Sequence, residues 1–182
     1  MLDWIVLAMR LWLGAVMLAH GLNHARSMTG TAKWFAKVGF RRPIVTAALS
    51  AGGEVAIGAA FVAGFLTPLA VAGLVATMAI AYWTVHRYAG FFVFHRPDEG
   101  WEYVATLALV GAAIGFLGPG RFSVDAWLGW WWGDGWTGAV AVGAGGSASL
   151  LRLVAGLGSG GPRFVKQKTA YGMISGDWSS DV

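Results

Sequence analysis

The stretch "SAGGEVAIGAAFVAGFLTPLA", residues 50–70, contains a single ionisable side chain, Glu54, in an otherwise mostly apolar run. About 20 apolar residues are needed to cross the hydrocarbon core of a bilayer, so this composition is typical of a membrane-spanning helix. A carboxyl group at that depth is costly unless it faces protein rather than lipid. Glu54 therefore predicts a helix that is surrounded by others in a bundle.

The composition of the whole chain agrees with this interpretation. The 182 residues are 57% hydrophobic and 12% charged, whereas about a quarter of the residues in a soluble domain are charged. The absence of cysteine excludes disulfides, thiolate metal sites and cysteine-ligated iron–sulfur clusters. The net charge of +4 comes from basic residues between the apolar runs, which indicates membrane topology and argues against a nucleic-acid partner.

Four apolar runs predict transmembrane helices at 4–22, 44–66, 68–87 and 102–118. The first lacks a basic leader region and a cleavage site, so we expect a retained helix. Proline fits the first turn of a helix, so Thr67-Pro68 separates the second run from the third, and "GPG" at 118–120 ends the fourth. A fifth, Gly-rich candidate at 136–157 carries Arg152.

The predicted fold class is thus an all-α integral membrane protein, a four-helix transmembrane bundle core with a fifth Gly-rich transmembrane helix. We expect residues 1–128 to form the four-helix domain and 129–157 to form a Trp-rich interfacial segment followed by the fifth helix. Residues 158–182 have no apolar period and are expected to form a flexible tail.

Charge asymmetry predicts the orientation. The first connection contains basic residues and no acid, and the third also contains arginines; both lie on one side, which the positive-inside rule makes cytoplasmic. These residues are Arg26, Lys33, Lys37, Arg41 and Arg42, followed by Arg87 and Arg96. With a fifth span, the basic tail containing Arg163, Lys166 and Lys168 returns to the same side.

The second helix carries two stripes of interest. Gly52, Ala56, Ala60 and Gly64 recur every four residues and predict a face where another backbone approaches closely, while Ser50, Glu54 and Gly58 form a second stripe. Glu54 is expected near mid-membrane and Arg10 roughly 9 Å below the outer end of the first helix. One hypothesis is an Arg10–Glu54 ion pair that links the helices. The other is that Glu54 carries a proton or bonds a ligand.

A second group of ionisable residues is predicted at the cytoplasmic helix ends: His20, His24, His86, Arg87 and Glu102. It is interpreted either as a hydrogen-bonded cluster that holds helix ends or as a site for a quinone or lipid headgroup. His20 and His24 have the spacing of a metal-binding pair, but no supporting motif is present, so no metal site is predicted. A haem ligated by His20 and His86 is a further alternative, but no other feature of the sequence indicates a haem. The candidate ligand-binding residues are Arg10, His20, His24, Glu54, His86 and Glu102, with Glu54 and Glu102 as acid–base candidates.

Three blocks of the chain resemble the DoxX family of small bacterial membrane proteins: "RLWLGAVMLAHGLNH", "GGEVAIGAAFVAGFLTPLA" and "GWEYVATLALVGAAIGFLGPGRFSVDAWL". The resemblance runs from about Arg10 to Leu128. The matching positions are Arg10, His20, Gly21, Glu54, Gly58, Gly64, Glu102, Gly118, Gly120, Ser123 and Asp125. The first helix of the family commonly ends in His-Gly-x-x-Lys, and here His24 replaces the lysine, so a permanent charge is lost.

The resemblance implies a bundle in the bacterial plasma membrane, with the amino terminus outside and the carboxyl terminus cytoplasmic as the charges predict. It also implies a place in, or beside, a quinone-linked oxidoreductase such as thiosulfate:quinone oxidoreductase. The leading hypothesis is a non-catalytic accessory or anchor subunit of a quinone-linked or redox-defence complex, without a cofactor of its own.

Two alternatives remain. In the first, the chain is a quinone-binding oxidoreductase subunit in which Glu54 or Glu102 handles protons and His20 or His86 forms a hydrogen bond with the quinone ring. In the second, it is a small transporter or lipid-handling protein. The expected partners are the lipid bilayer and membrane or peripheral redox subunits. Self-association into a homo-oligomer is left open.

Overall fold

The computed structural model describes residues 1–94 and 99–157, and within these ranges the chain is helical with no strand. The predicted all-α membrane fold is confirmed. The basic residues Arg96, Arg163, Lys166 and Lys168, and the predicted tail 158–182, lie outside the described residues. The helices are α1 (Leu2–Arg26), α2 (Met28–Val38), α3 (Pro43–Ala63), α4 (Thr67–Ala81), α5 (Glu102–Leu117), α6 (Val124–Trp127) and α7 (Trp136–Gly156). A π-helical turn, Tyr82–His86, continues α4.

Among the described residues, α1, α3, α7 and α4 with its π-helical turn are long and apolar enough to cross a membrane. The shorter apolar helix α5 has 16 residues, or about 24 Å at the rise of an α-helix. Helix α7, the fifth candidate from the sequence, thus has the length and composition of a span, whereas α5 covers the predicted run 102–118 almost entirely but is shorter than the other four. Glycines and Arg152 lower the hydropathy of α7, although its length is ample, whereas Pro119 and its flanking glycines restrict α5.

Helices α1 and α3 pack against each other in antiparallel orientation with their backbones in close contact. A Cβ atom on Gly58 of α3 would lie 2.8 Å from the nitrogen of Leu18, and one on Gly21 of α1 would lie 2.8 Å from the nitrogen of Val55. Glycine at these positions lets the helices approach more closely than any side chain would allow. The stripe of α3 that meets α1 is therefore the one with Glu54 and Gly58.

The other small-residue stripe of α3 does not meet a neighbour at its first two positions. A Cβ atom on Gly52 would contact nothing within 4 Å, and Ala56 is exposed. The prediction that another backbone of this chain approaches there is wrong at these two positions. Ala60 is partly buried against the core, and Gly64, at the helix end, packs tightly against Arg10 and Ser123.

Helix α7 packs against α4 and α5 through its own glycines. A Cβ atom on Gly138 would lie 2.7 Å from the Gly115 backbone of α5, and Gly145 lies against the Ala72 carbonyl of α4. The buried residues of α7 recur at three- and four-residue spacing and end with Ser149 and Leu153. The glycine content that weakened the hydropathy signal is thus what lets α7 join the bundle.

Helix α2 was not predicted. Thr31, Phe35 and Val38 are buried on one face, while Lys33 and Lys37 are exposed on the other. This pattern is that of an amphipathic helix. It lies at the end of the bundle that carries five exposed basic residues, called the basic end below: Arg26, Lys33, Lys37, Arg41 and Arg42.

Candidate functional site

Arg10 does not contact Glu54, and the predicted ion pair is wrong. The guanidinium of Arg10 donates hydrogen bonds to the carbonyls of Phe61 (3.0 Å), Val62 (3.1 Å), Pro119 (2.7 Å) and Phe122 (2.9 Å). In the antiparallel register, Arg10 is level with the carboxyl end of α3, about 12 Å along the helix from Glu54. Arg10 therefore caps α3 and holds the loop after α5.

Asp125 completes this arrangement at the end opposite the basic end. Its fully buried carboxylate accepts hydrogen bonds from the backbone nitrogens of Leu66 (2.8 Å) and Thr67 (2.9 Å), at the start of α4. Ser123 caps α6 by accepting from the nitrogen of Ala126. These contacts satisfy backbone groups that helix ends leave unpaired, so Arg10, Ser123 and Asp125 have structural roles.

A cavity of about 700 Å³ lies inside the bundle toward the basic end. Its walls come from α1, α2, α3, α4 with its π-helical turn, α5 and α7, and most of its lining is apolar. The polar side chains in the lining include His20, His24, Glu54, His86, Tyr103 and Arg152. A shallow surface depression of about 420 Å³ between α4 and α7 is apolar. The larger one has the size and the small set of convergent polar groups typical of ligand sites.

Glu54 is the most buried acid of this cavity, with 6% of its surface exposed. Its Oε1 atom accepts a hydrogen bond of 2.8 Å from the hydroxyl of Ser50, one helical turn earlier. Its Oε2 atom is buried and has no hydrogen-bond partner among the described residues. The ring of His24 lies beside it, with Nε2 at 3.7 Å from Oε2. A buried acceptor in this state is a place where a ligand donor would gain a strong hydrogen bond.

The three predicted histidines all line the cavity, each with a different partner. His20 Nε2 lies 3.2 Å from the hydroxyl of Tyr103 on α5. The Nδ1 atom of His24 lies 3.4 Å from the Thr31 hydroxyl on α2. His86 Nδ1 lies 2.7 Å from the carbonyl of Glu99. The histidines therefore join α1 to α2 and α5, and the end of α4 to the loop before α5.

Two predicted site residues lie outside this cavity: Arg10, at the opposite end of the bundle, and Glu102, which is absent from the lining. Glu102 begins α5, where its backbone nitrogen bonds the carbonyl of Phe91 and its carbonyl accepts from Thr106. No group of three or more histidine and acidic side chains with the geometry of a metal site occurs in residues 1–94 and 99–157.

Several cavity residues were not identified from the sequence. Helix α2 covers the basic end of the cavity with Thr31, Trp34 and Phe35, and α7 contributes Arg152. The amphipathic pattern of residues 28–38 could have revealed α2. Arg152 was noticed only as an interruption of an apolar run, although an arginine in a membrane helix usually faces protein.

In a comparison with known families, the DoxX family model matches residues 5–87. This segment extends from α1 through the π-helical turn, and it contains Arg10, His20, His24, Glu54 and His86. The third block of the resemblance, 100–128, and α7 lie outside it. No curated protein and no solved structure matches the chain.

Proposed function

We propose that this chain, of which residues 5–87 match the DoxX family model, is a membrane subunit that binds a quinone and its quinol form in the cavity at the basic end. The observation that carries this proposal is Glu54 Oε2, a buried acceptor without a hydrogen-bond partner among the described residues, which faces a cavity with mostly apolar walls. The apolar walls suit a ring and an isoprenoid tail, and the polar groups suit the ring oxygens.

The residues have distinct parts in this proposal. Glu54 accepts a hydrogen bond from an O–H group of the reduced quinol form of the ligand and, with the His24 ring at 3.7 Å, supplies a route for a proton toward the basic end. His20, held by Tyr103, donates to or accepts from a ring oxygen. The bound quinone supplies two-electron redox chemistry. Because the chain has no cysteine, it has no thiolate-ligated electron carrier of its own, and we place it as an accessory subunit beside a redox partner.

Binding of a tritiated decylbenzoquinol, kept reduced under anaerobic conditions, to the purified chain in nanodiscs tests the proposal. Glu54→Gln keeps the shape of the side chain but removes the charge, so we expect Kd to rise by roughly tenfold or more, as for loss of a hydrogen bond to a charged group. Glu102→Gln is the matched control because Glu102 lies outside the cavity, and its Kd should change by less than about twofold. Equal losses in both variants, or no saturable binding by the unaltered chain, would contradict the proposal.

The orientation is part of the same proposal: the basic end faces the cytoplasm of a bacterial cell. The chain has no cysteine, so single cysteines report sidedness directly. On intact cells, a membrane-impermeant maleimide should label Asp134→Cys, whereas Lys37→Cys should react only after permeabilisation, because these exposed residues lie at opposite ends of the bundle. The reverse labelling pattern would invert the orientation.

A further inference from the structure

Arg152 lies in the last part of α7 and lines the cavity. An arginine four residues from a helix end can extend along the helix to the headgroups. Here the side chain turns toward α3, where Nη2 lies 3.5 Å from the carbonyl of Thr46. The guanidinium is thus held at the cavity wall, in the same chamber as Glu54.

The hydrogen-bonding capacity of Arg152 is largely unused by the protein. A guanidinium has five N–H donors, and its single hydrogen bond to the described residues is the long one to Thr46. Glu54 attracts it electrostatically, but no ion pair joins the two side chains in the described part of the chain, where Glu54 pairs with His24 instead. Spare donors on a partly desolvated cation are a recognition element for anionic oxygen.

Glu54 and Arg152 are complementary in what they offer. Glu54 Oε2 needs a donor, and Arg152 needs an acceptor. One ligand head serves both if it carries an O–H group beside a negatively charged oxygen. The monoanion of an alkyl hydrogen phosphate carries both groups, an ionised hydroxyquinone carries only the negatively charged oxygen that Arg152 would bind, and a plain quinone offers acceptors only.

We infer that Arg152 binds an anionic oxygen of the ligand head and makes the cavity selective for acidic amphiphiles. This inference rests on the proposed use of the cavity and adds a specificity determinant from α7, which lies outside the segment that the DoxX model matches. The apolar walls hold the tail, Glu54 receives the O–H group, and Arg152 receives the charge.

Equilibrium binding to the full chain in neutral nanodiscs tests the inference, with three probes that carry the same decyl tail. The pH is 5.5, below the second pKa of about 6 of a phosphate monoester, so that decyl phosphate keeps an O–H group. The probes are a neutral 2-methyl-1,4-naphthoquinone, its ionised 2-hydroxy analogue and decyl phosphate. We expect the unaltered chain to bind the ionised naphthoquinone at least about tenfold more tightly than the neutral one. Arg152→Gln should reduce that preference to less than about twofold while changing the affinity for the neutral probe by less than about threefold.

Two further variants sharpen the result. Arg152→Lys keeps a point charge and should retain part of the preference. Arg41→Gln removes an exposed charge at the same end of the bundle and should retain all of it, since surface attraction is not the cause. If Arg152→Gln does not fold, competition between the two naphthoquinones on the unaltered chain and on Arg152→Lys decides the matter.

The outcomes separate this inference from the proposed function. Equal binding of both naphthoquinones by the unaltered chain, or a preference that survives in Arg152→Gln, overturns the inference and leaves quinone binding standing. Arg152-dependent binding of decyl phosphate without binding of either naphthoquinone supports the inference and overturns the quinone proposal. No binding of any probe overturns both.

Discussion

Arg10→Met is expected to prevent recovery of a stably folded chain in mild detergent. The guanidinium of Arg10 is 1% exposed and donates to four backbone carbonyls, which belong to the end of α3 and to the loop after α5. Methionine fills much of the volume but donates nothing. The Phe61 carbonyl still accepts from the nitrogen of Gly64, but the other three lose their partner. Each buried acceptor left without a partner costs about 1–3 kcal/mol, and three together reach the lower part of the total stability of about 5–15 kcal/mol that folded proteins have.

The measurement is fluorescence-detected size-exclusion chromatography after a series of heating steps. Arg121→Met is the matched control, because Arg121 lies in the same loop with an exposed side chain and its side chain makes none of these bonds. Its melting temperature should stay close to that of the unaltered chain, since surface substitutions usually change stability by less than about 0.5 kcal/mol. Similar melting curves for both variants would show that the Arg10 contacts contribute little.

The hydrogen-bond partners of Arg10 also show which contacts cannot be predicted from the sequence. Hydropathy places a residue along its own helix, and both Arg10 and Glu54 were correctly assigned to the bundle interior, where lipid cannot satisfy a charge. Which groups meet depends on the register between helices, which here is set by glycine contacts between α1 and α3. The carbonyls of Pro119 and Phe122 come from a loop more than a hundred residues away, and no local pattern indicates that contact.

The cavity residues were predicted in part, for a physical reason. His20, His24 and His86 gather because α1 ends and α4 ends at the same side of the bundle, which follows from counting spans. Glu102 begins its helix at that side too, but it is absent from the cavity lining, because helical depth does not determine the face on which a residue lies. Tyr103, the next residue, contacts His20 instead.

Gly58→Ala should destabilise the protein by roughly 2–3 kcal/mol, the upper part of the range for overpacking a tight interface. The new methyl group would lie 2.8 Å from the nitrogen of Leu18 and 2.9 Å from the carbonyl oxygen of Gly14. Both atoms belong to the backbone of α1, so no side-chain rotation relieves the clash. The helices have to separate, which also loosens the wall of the cavity around Glu54, one turn away on the same stripe.

Gly52→Ala, on the same helix, is the matched control because its methyl group would contact nothing within 4 Å. Alanine is the better helix former by about 1 kcal/mol, so this variant should melt at the same temperature or higher. The two substitutions differ only in the face of α3 that they alter, and comparing their unfolding in a detergent titration isolates the contact with α1. If the Gly58→Ala and Gly52→Ala variants unfold under the same conditions, the close approach of α1 and α3 is incorrect. If Gly52→Ala is the more damaging of the two, the outer stripe of α3 packs against another molecule.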